Sequence, residues 1–296
     1  MSSALGPGHY ARPDVTGPLS NIKIVTASIP SPPTRWFNIG PLEVHYYALF
    51  IIAGALVAIW LTYRRWTARG GSGDLVVEVA LWSVVAGLVG GRLYFDITTP
   101  GQMGHQWYAP LAIWQGGLGI PGAVLFGALA GAFVVRRRGA SVTKFLDAAA
   151  PGLPLASGIG RLGNWFNQEL FGGPTSLPWG LKIDPQYRPT RYANVTTFQP
   201  TFLYELIWDI GLAGLLLWLD SRVRIRPPAL FCLYVCLYSL IRLLLELVRV
   251  DPASVFLGER LNFWVALAGV IGGGAAFAYF QWLRPDMRAE GVPAKT

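Results

Sequence analysis

The stretch GIGRLGNWFNQELFG, from Gly158 to Gly172, sets Arg161, Asn164, Asn167, Gln168 and Glu169 behind an apolar, glycine-rich run. Arg161, Asn164 and either Asn167 or Gln168 recur every three or four residues, so a helix would carry them on one face. A second stretch, YVCLYSLIRLLLELVR, spaces Tyr234, Tyr238, Arg242, Glu246 and Arg249 by four, four, four and three, a polar stripe with leucines on the other faces. A guanidinium stays protonated at any physiological pH and donates in a planar fork that matches phosphate. Two of them converging in an apolar setting point to an anionic head group, and the phosphate native to that depth belongs to a phospholipid. The glycines of QGGLGIPGA, Gln115 to Ala123, including Gly116 and Gly117, are expected to break or thin a helix so that a head group or acyl chain reaches backbone amides.

The elements that must hold these side chains are membrane helices. Of 296 residues, 53% are hydrophobic and only 14% charged, with a mean hydropathy of +0.42, which is too apolar for an ordinary soluble domain. A hydrocarbon layer of roughly 30 Å asks for about 20 predominantly apolar residues per helix. The runs that qualify are Tyr46 to Thr62, Leu75 to Phe95, Leu111 to Val135, Lys144 to Leu162, Thr201 to Leu219, Ala229 to Val248 and Leu261 to Phe280. Strict period-two alternation is absent, which argues against an outer-membrane barrel. The expected fold class is all-α, a polytopic membrane protein with about seven transmembrane helices and a small extracytoplasmic head. Three short connections carry dense positive charge: Arg64, Arg65 and Arg69; Arg136, Arg137, Arg138 and Lys144; and Arg222, Arg224 and Arg226. These are expected to be cytoplasmic, which puts the N-terminus outside and the C-terminus, with Arg284, Arg288 and Lys295, inside. The net charge of +8 then reflects topology and attraction to anionic membrane lipids, with no nucleic acid partner.

This organisation divides the chain into an irregular extracytoplasmic segment over 1–42 without a cleavable signal peptide, a membrane catalytic domain over 43–283 whose head is the insertion 163–200, and a cytoplasmic tail over 284–296. The stretch VRVDPASVFLGERL, on the outer side, is uninformative at this level. Cys232 and Cys236, four apart in one span, read as small packing residues. No metal-ligand cluster or nucleotide-phosphate loop is visible, so no metal and no cofactor are expected. A charge near the bilayer centre costs on the order of 2.5 to 3.5 kcal/mol on insertion scales. Arg92, Arg161, Arg242, Glu246, Glu205, Asp147 and Asp209 all lie in or at the ends of spans, so several of them must face a common polar interior, either to pair with one another or to serve a substrate. A lipid or anion transporter with an arginine-lined cavity is the alternative reading. It would show inverted repeats and polar residues through the full membrane depth, and neither is visible.

GRLGNWFNQELFG (Gly160 to Gly172), PWG (Pro178 to Gly180), QPTFLYE (Gln199 to Glu205), Y-x3-R-x3-E-x2-R (Tyr238 to Arg249), HYYAL (His45 to Leu49), GGRLYF (Gly90 to Phe95) and WQGGLGIPGA, in this order-specific set, resemble the prolipoprotein diacylglyceryl transferase family. The resemblance covers about Gly40 to Phe280. It implies a bacterial plasma-membrane enzyme with seven helices and its N-terminus outside. Its family reaction moves the diacylglyceryl group of phosphatidylglycerol to the lipobox cysteine thiol in the signal peptide of a prolipoprotein, leaving a thioether and releasing glycerol 1-phosphate. By motif, Arg161 and Asn164 correspond to the phosphate-binding pair, with Glu169 and Gly172 lining the same head-group site. Arg242 corresponds to the essential arginine beside thiol and ester, Glu246 to its orienting partner, and Tyr47 to the tyrosine of the first helix. Tyr238 lies on the same stripe, and Asp147 and Arg92 also sit on motif positions. Many members carry a histidine where this chain has Pro121, and some carry one where it has Gln199. A thiol of ordinary pKa, about 8.5, must lose its proton to attack. The base is therefore another group, or the arginine field alone suffices; His45 is the histidine nearest a motif.

Overall fold

The structure is a computed structural model that describes residues 28–99, 101, 108–112, 116–251 and 255–283. Eight α-helices are present among them: α1 Tyr46–Ala68, α2 Gly73–Thr98, α3 Ile120–Arg137, α4 Val142–Ala149, α5 Gly152–Asn167, α6 Thr201–Arg222, α7 Ala229–Glu246 and α8 Leu261–Ala278. Six stretches, namely α1, α2, α3, α6, α7 and α8 with its extension to Leu283, are long and apolar enough to cross a membrane. The expected run Lys144 to Leu162 is not one helix. It breaks at Ala150 and Pro151 into α4 and α5, because a proline ring has no N–H to donate and clashes with the carbonyl four residues back. The 16 residues of α5 reach about 24 Å at 1.5 Å per residue, too short to cross alone. Among the described residues of the run expected from Leu111, the α-helix begins at Ile120; Gly116 and Gly117 before it take φ +85° and +78°, the left-handed region that glycine tolerates.

Serine caps start two helices: the Ser72 side chain accepts from Asp74 N–H before α2, and Ser141 accepts from Lys144 N–H before α4. Helices α1 and α5 pack closely because Gly54 faces the backbone of Ala156, where a Cβ would lie 2.7 Å from the carbonyl oxygen. Further close pairs are α2 with α3, α5 with α6 and α7 with α8. The outward faces stay apolar, with Ile52, Leu56, Trp60, Val124 and Ile271 exposed, as a lipid-facing surface requires. Cys232 and Cys236 carry free thiols, and Cys236 backbone lies against Gly273 of α8.

The three arginine-rich connections meet at one end of the bundle, over an apolar cluster that includes Trp66, Leu75, Val135 and Phe145. There Arg65 and Arg69 pair with Asp220, and Arg138 pairs with Glu78. The insertion after α5 forms the head at the opposite end, closed by the antiparallel pair β3 Leu181–Lys182 and β4 Thr197–Phe198 over a core of Phe171, Leu181, Ile183, Phe198 and Phe202. The segment expected to be irregular up to residue 42 is partly regular. A hairpin of β1 Trp36–Ile39 and β2 Leu42–His45 turns at Gly40, φ +59°. Residues before it strap the head: Ile29 bridges to Leu181, Trp165 Nε1 donates to Pro30 O, and Arg35 stacks 3.5 Å over the Tyr187 ring.

Candidate active site

At the head end, three helices bring acid and base side chains into one continuous net. Arg161 and Asn164, three apart on α5, share a face, and Arg161 Nη1 donates to Asn164 Oδ1 at 3.1 Å. From α6, Glu205 reaches between two helices: Oε1 lies 2.7 Å from Arg161 Nη2 and Oε2 3.0 Å from Arg242 Nη1. Arg242 lies one turn before Glu246 on α7 and donates Nη2 to Glu246 Oε1 at 3.2 Å. The same oxygen accepts from Arg249 Nη1 at 3.1 Å, and Oε2 accepts from Arg260 Nε at 2.6 Å. Arg260 ends β6 (Glu259–Arg260), which pairs with β5 (Val255–Phe256) ahead of α8. Asp251 closes the net with a fork to Arg249 at 2.8 Å on both oxygens and a bond from Arg260 Nη2 at 3.0 Å. Four guanidiniums thus share three carboxylates by direct ion pairs.

Burial makes such a net expensive unless its charges stay paired. The Glu205 and Glu246 side chains are 3% and 1% exposed, while Arg161 and Arg242 keep about a fifth of their surface, 19% and 21%. Glu205 and Glu246 are sealed while Arg161 and Arg242 are partly open, so the face that these two arginines present is cationic. Fixed charges of this kind in a dry setting act strongly on a group that gains charge. Burial alone would raise the Asp251 carboxyl, but hydrogen bonds from Arg249 and the charges of Arg249 and Arg260 outweigh it and hold it below the usual carboxylate value.

The remaining expected residues divide into two groups. Glu169 joins the net through amides: its Oε1 accepts from Asn164 Nδ2 at 2.8 Å and from Asn167 Nδ2 at 3.1 Å. Tyr238, one turn before Arg242 on α7, interacts electrostatically with Arg161. Tyr47 packs on Gly163, where a Cβ would stand 2.5 Å from its ring, and it feels the charges of Glu169 and Arg161. Gly172 forms a bridge to Arg249 and donates its N–H to Gln199 O at 2.9 Å, stitching the head to the end of α7. Gly116 and Gly117 make their described contacts elsewhere. Their carbonyls accept from Arg92 Nη1 at 2.7 and 3.4 Å, and Gly117 lies on Phe95. Arg92 also binds Pro110 O, Ala109 O and Asp96, so it holds the connection before α3 in shape. Asp147 lies at the arginine-rich end, where Oδ1 accepts from Phe231 N at 2.9 Å in the first turn of α7. Asp209 is fully buried against Gly158. His45 pairs with Glu43 on the exposed hairpin, and His105 lies outside the described residues.

Asp251 and Arg260 escape the sequence reading because they occupy a loop with no helical period. The signal that could have found them is the alternation Arg249, Asp251, Glu259, Arg260 directly after a polar stripe. Among the described residues no group of His, Cys, Asp and Glu is arranged to hold a metal ion.

Residues 34–279 match the family model described as prolipoprotein diacylglyceryl transferase. The chain is similar to phosphatidylglycerol--prolipoprotein diacylglyceryl transferase 2 of Streptomyces coelicolor, 46% identical over 83% of this chain and 78% of that one. It is similar to the enzyme named phosphatidylglycerol--prolipoprotein diacylglyceryl transferase in Cutibacterium acnes, 47% identical over 88% of each chain. With the one so named in Bifidobacterium adolescentis it shares 42% identity over 86% of this chain and 80% of that one.

Proposed function

The chain belongs to the prolipoprotein diacylglyceryl transferase family, and from that membership and the site we infer the reaction it performs. It transfers the diacylglyceryl group of phosphatidylglycerol to the thiol of the lipobox cysteine in a prolipoprotein signal peptide, forming a thioether and releasing glycerol 1-phosphate. The observation that carries the reading is Glu205 held between Arg161 of α5 and Arg242 of α7: guanidiniums from separate helices share one partly open cationic face.

The chemistry is a displacement at a glycerol carbon, in which the departing phosphate gains charge as the C–O bond breaks. Arg161, oriented by Asn164 and Glu205, binds that phosphate. Arg242, fixed from one side by Glu205 and from the other by Glu246, stands by the reacting thiol and ester and stabilises the growing charge. Tyr47, Tyr238, Glu169 and Gly172 line the same space. The arginine-rich end faces the cytoplasm of a bacterial plasma membrane, by the excess of basic residues in its short connections. The head and site then lie at the outer leaflet, the N-terminus outside and the C-terminus inside. Helices α4 and α5 together make the fourth of seven crossings.

The test is purified protein in micelles with phosphatidylglycerol and a lipobox peptide, read as a mass increase on the cysteine. Arg242→Ala and Arg161→Ala should each slow transfer by roughly 100-fold or more, the effect of removing one preorganised donor. Lysine at either position should not restore the rate, since it lacks the fork. No mass increase with the wild type, or an undiminished rate in Arg242→Ala, would overturn the assignment.

A further inference from the structure

The site lacks an evident group to take the thiol proton. Asp209 has no arginine on its oxygens but is fully buried against Gly158, out of reach of a substrate, and among the other carboxylates the bonding singles one out. Glu205 has an arginine on each oxygen. Glu246 has two on Oε1 and one on Oε2. Asp251 has Arg249 across both oxygens and Arg260 on one. Each is spent as an anchor for guanidiniums. Glu169 differs: its bonds come from two neutral amides and fall on Oε1 alone, so Oε2 accepts no hydrogen bond among the described residues, and the residue is exposed. An arginine on that oxygen would compete with an incoming proton; an amide on the other oxygen does not.

The backbone presents Glu169 with unusual care. It stands between two non-glycine residues in the left-handed region, Gln168 at φ +52° and Leu170 at φ +56°, a conformation strained for residues that carry a Cβ. Both are pinned. Gln168 exchanges bonds with Asp184, Nε2 to Oδ2 at 2.7 Å and Asp184 N to Oε1 at 2.9 Å. The Leu170 carbonyl accepts from the Thr201 hydroxyl at the start of α6. Strain held from both sides fixes where the carboxylate points. Asn164 then links it to the phosphate-binding arginine, accepting from Arg161 on one amide atom and donating to Glu169 from the other.

We propose that Glu169 is the general base of this enzyme, a role that rests on the transferase reading above. The thiol proton passes to Glu169 Oε2 as the sulfur lone pair forms the bond to the glycerol carbon. The C–O bond to phosphate breaks, and its electron pair leaves with glycerol 1-phosphate against Arg161 and Arg242. The proton on Glu169 then goes to water or to the departing phosphate, which restores the carboxylate.

Glu169→Gln keeps an acceptor for the two asparagines and removes the base. Its rate of cysteine modification at pH 7 should fall about 100-fold or more, the lower bound for losing general-base catalysis. The rate should then climb about tenfold per pH unit toward the thiol's own ionisation near pH 8.5, while KM for phosphatidylglycerol stays within about threefold. A peptide with selenocysteine at the lipobox position, ionised at pH 7, bypasses the base. The ratio of its rate to that of the cysteine peptide should therefore rise at least tenfold in Glu169→Gln relative to wild type. That ratio is taken within one preparation, so a loss of folded protein cancels. An unchanged ratio, a pH profile parallel to the wild type, or the same pH signature in His105→Ala would overturn the proposal. A wild type that modifies neither peptide would instead overturn the transferase reading.

Discussion

Replacing Arg260 by alanine should slow transfer while leaving lipid binding nearly intact, although Arg260 lies outside both polar stripes. Its guanidinium donates Nε to Glu246 Oε2 at 2.6 Å, Nη1 to Asp251 O at 2.8 Å and Nη2 to Asp251 Oδ2 at 3.0 Å. Breaking one partner from a buried pair costs about 3–5 kcal/mol, and the 14% and 27% exposure of the Arg260 and Asp251 side chains puts the loss at the lower end. Part of it loosens the junction between α7 and β6. The remainder reaches the site, because Glu246 Oε2 loses its described donor while Oε1 stays shared between Arg242 and Arg249. A carboxylate so released turns toward Arg242 and draws that guanidinium off Glu205. If about half of a 3 kcal/mol loss appears in the barrier, kcat falls roughly tenfold, since each 1.36 kcal/mol is a factor of ten. The assay is initial rates in micelles at limiting and saturating phosphatidylglycerol, with a melting curve on each preparation. Arg260→Lys, with one donor point in place of a fork, should fall between. An Arg260→Ala protein with unchanged kcat and unchanged melting would refute the claim that the carboxylate lattice orients Arg242. A raised KM at constant kcat would assign Arg260 to lipid binding instead.

Asp251 is held below the usual carboxylate value in the folded state, so its stabilisation is complete above the ordinary range and is lost as pH falls through the folded value. Wild-type melting temperature should drop on acidification below about pH 4, and Asp251→Asn should melt lower at neutral pH and show a shallower acid limb. Gly172→Ala would place a Cβ 2.9 Å from Gln199 Cβ and 3.2 Å from Val248 O; the overpacking should cost about 1–3 kcal/mol and reduce transfer, read by melting and by peptide mass. Asp147→Ala removes the acceptor for Phe231 N and should destabilise by about 1 kcal/mol, as for a lost helix cap, whereas Asp147→Asn should melt close to wild type.

Much of this was legible along the chain. Apolar length marks six of the helices, and the spacing of Arg161 with Asn164 and of Tyr238, Arg242 and Glu246 marks the faces that meet at the head end. What escaped follows from the reach of such signals. Periodicity averages over the pair Ala150 and Pro151, so one apolar run concealed two helices. A shared face shows which side chains point together but not what they point at. Glu205 therefore read as one buried charge among several, although it joins Arg161 to Arg242. Asp251 and Arg260 lie in a loop and owe their place to tertiary contact alone. The same limit applies to Gly116 and Gly117, whose run announced a broken helix without revealing that Arg92 collects their carbonyls.

The charge count of the net connects its anchors to its chemistry. With Glu169 included, four carboxylates balance four guanidiniums, and the lipid phosphate brings one further negative charge. As the thiol proton reaches Glu169, that carboxylate becomes neutral. As the C–O bond breaks, the phosphate gains the charge that Glu169 has lost, so the site keeps its total while one negative charge moves. Asn164 and Arg161 lie between the two positions, bonded on one side to Glu169 and facing the phosphate on the other. A cationic group so placed favours the charge at either end and needs little reorganisation between them. This gives a physical reason for paying the cost of burying Glu205 and Glu246: sealed carboxylates hold Arg161 and Arg242 still while the charge passes, and a guanidinium free to follow it would forfeit that preorganisation.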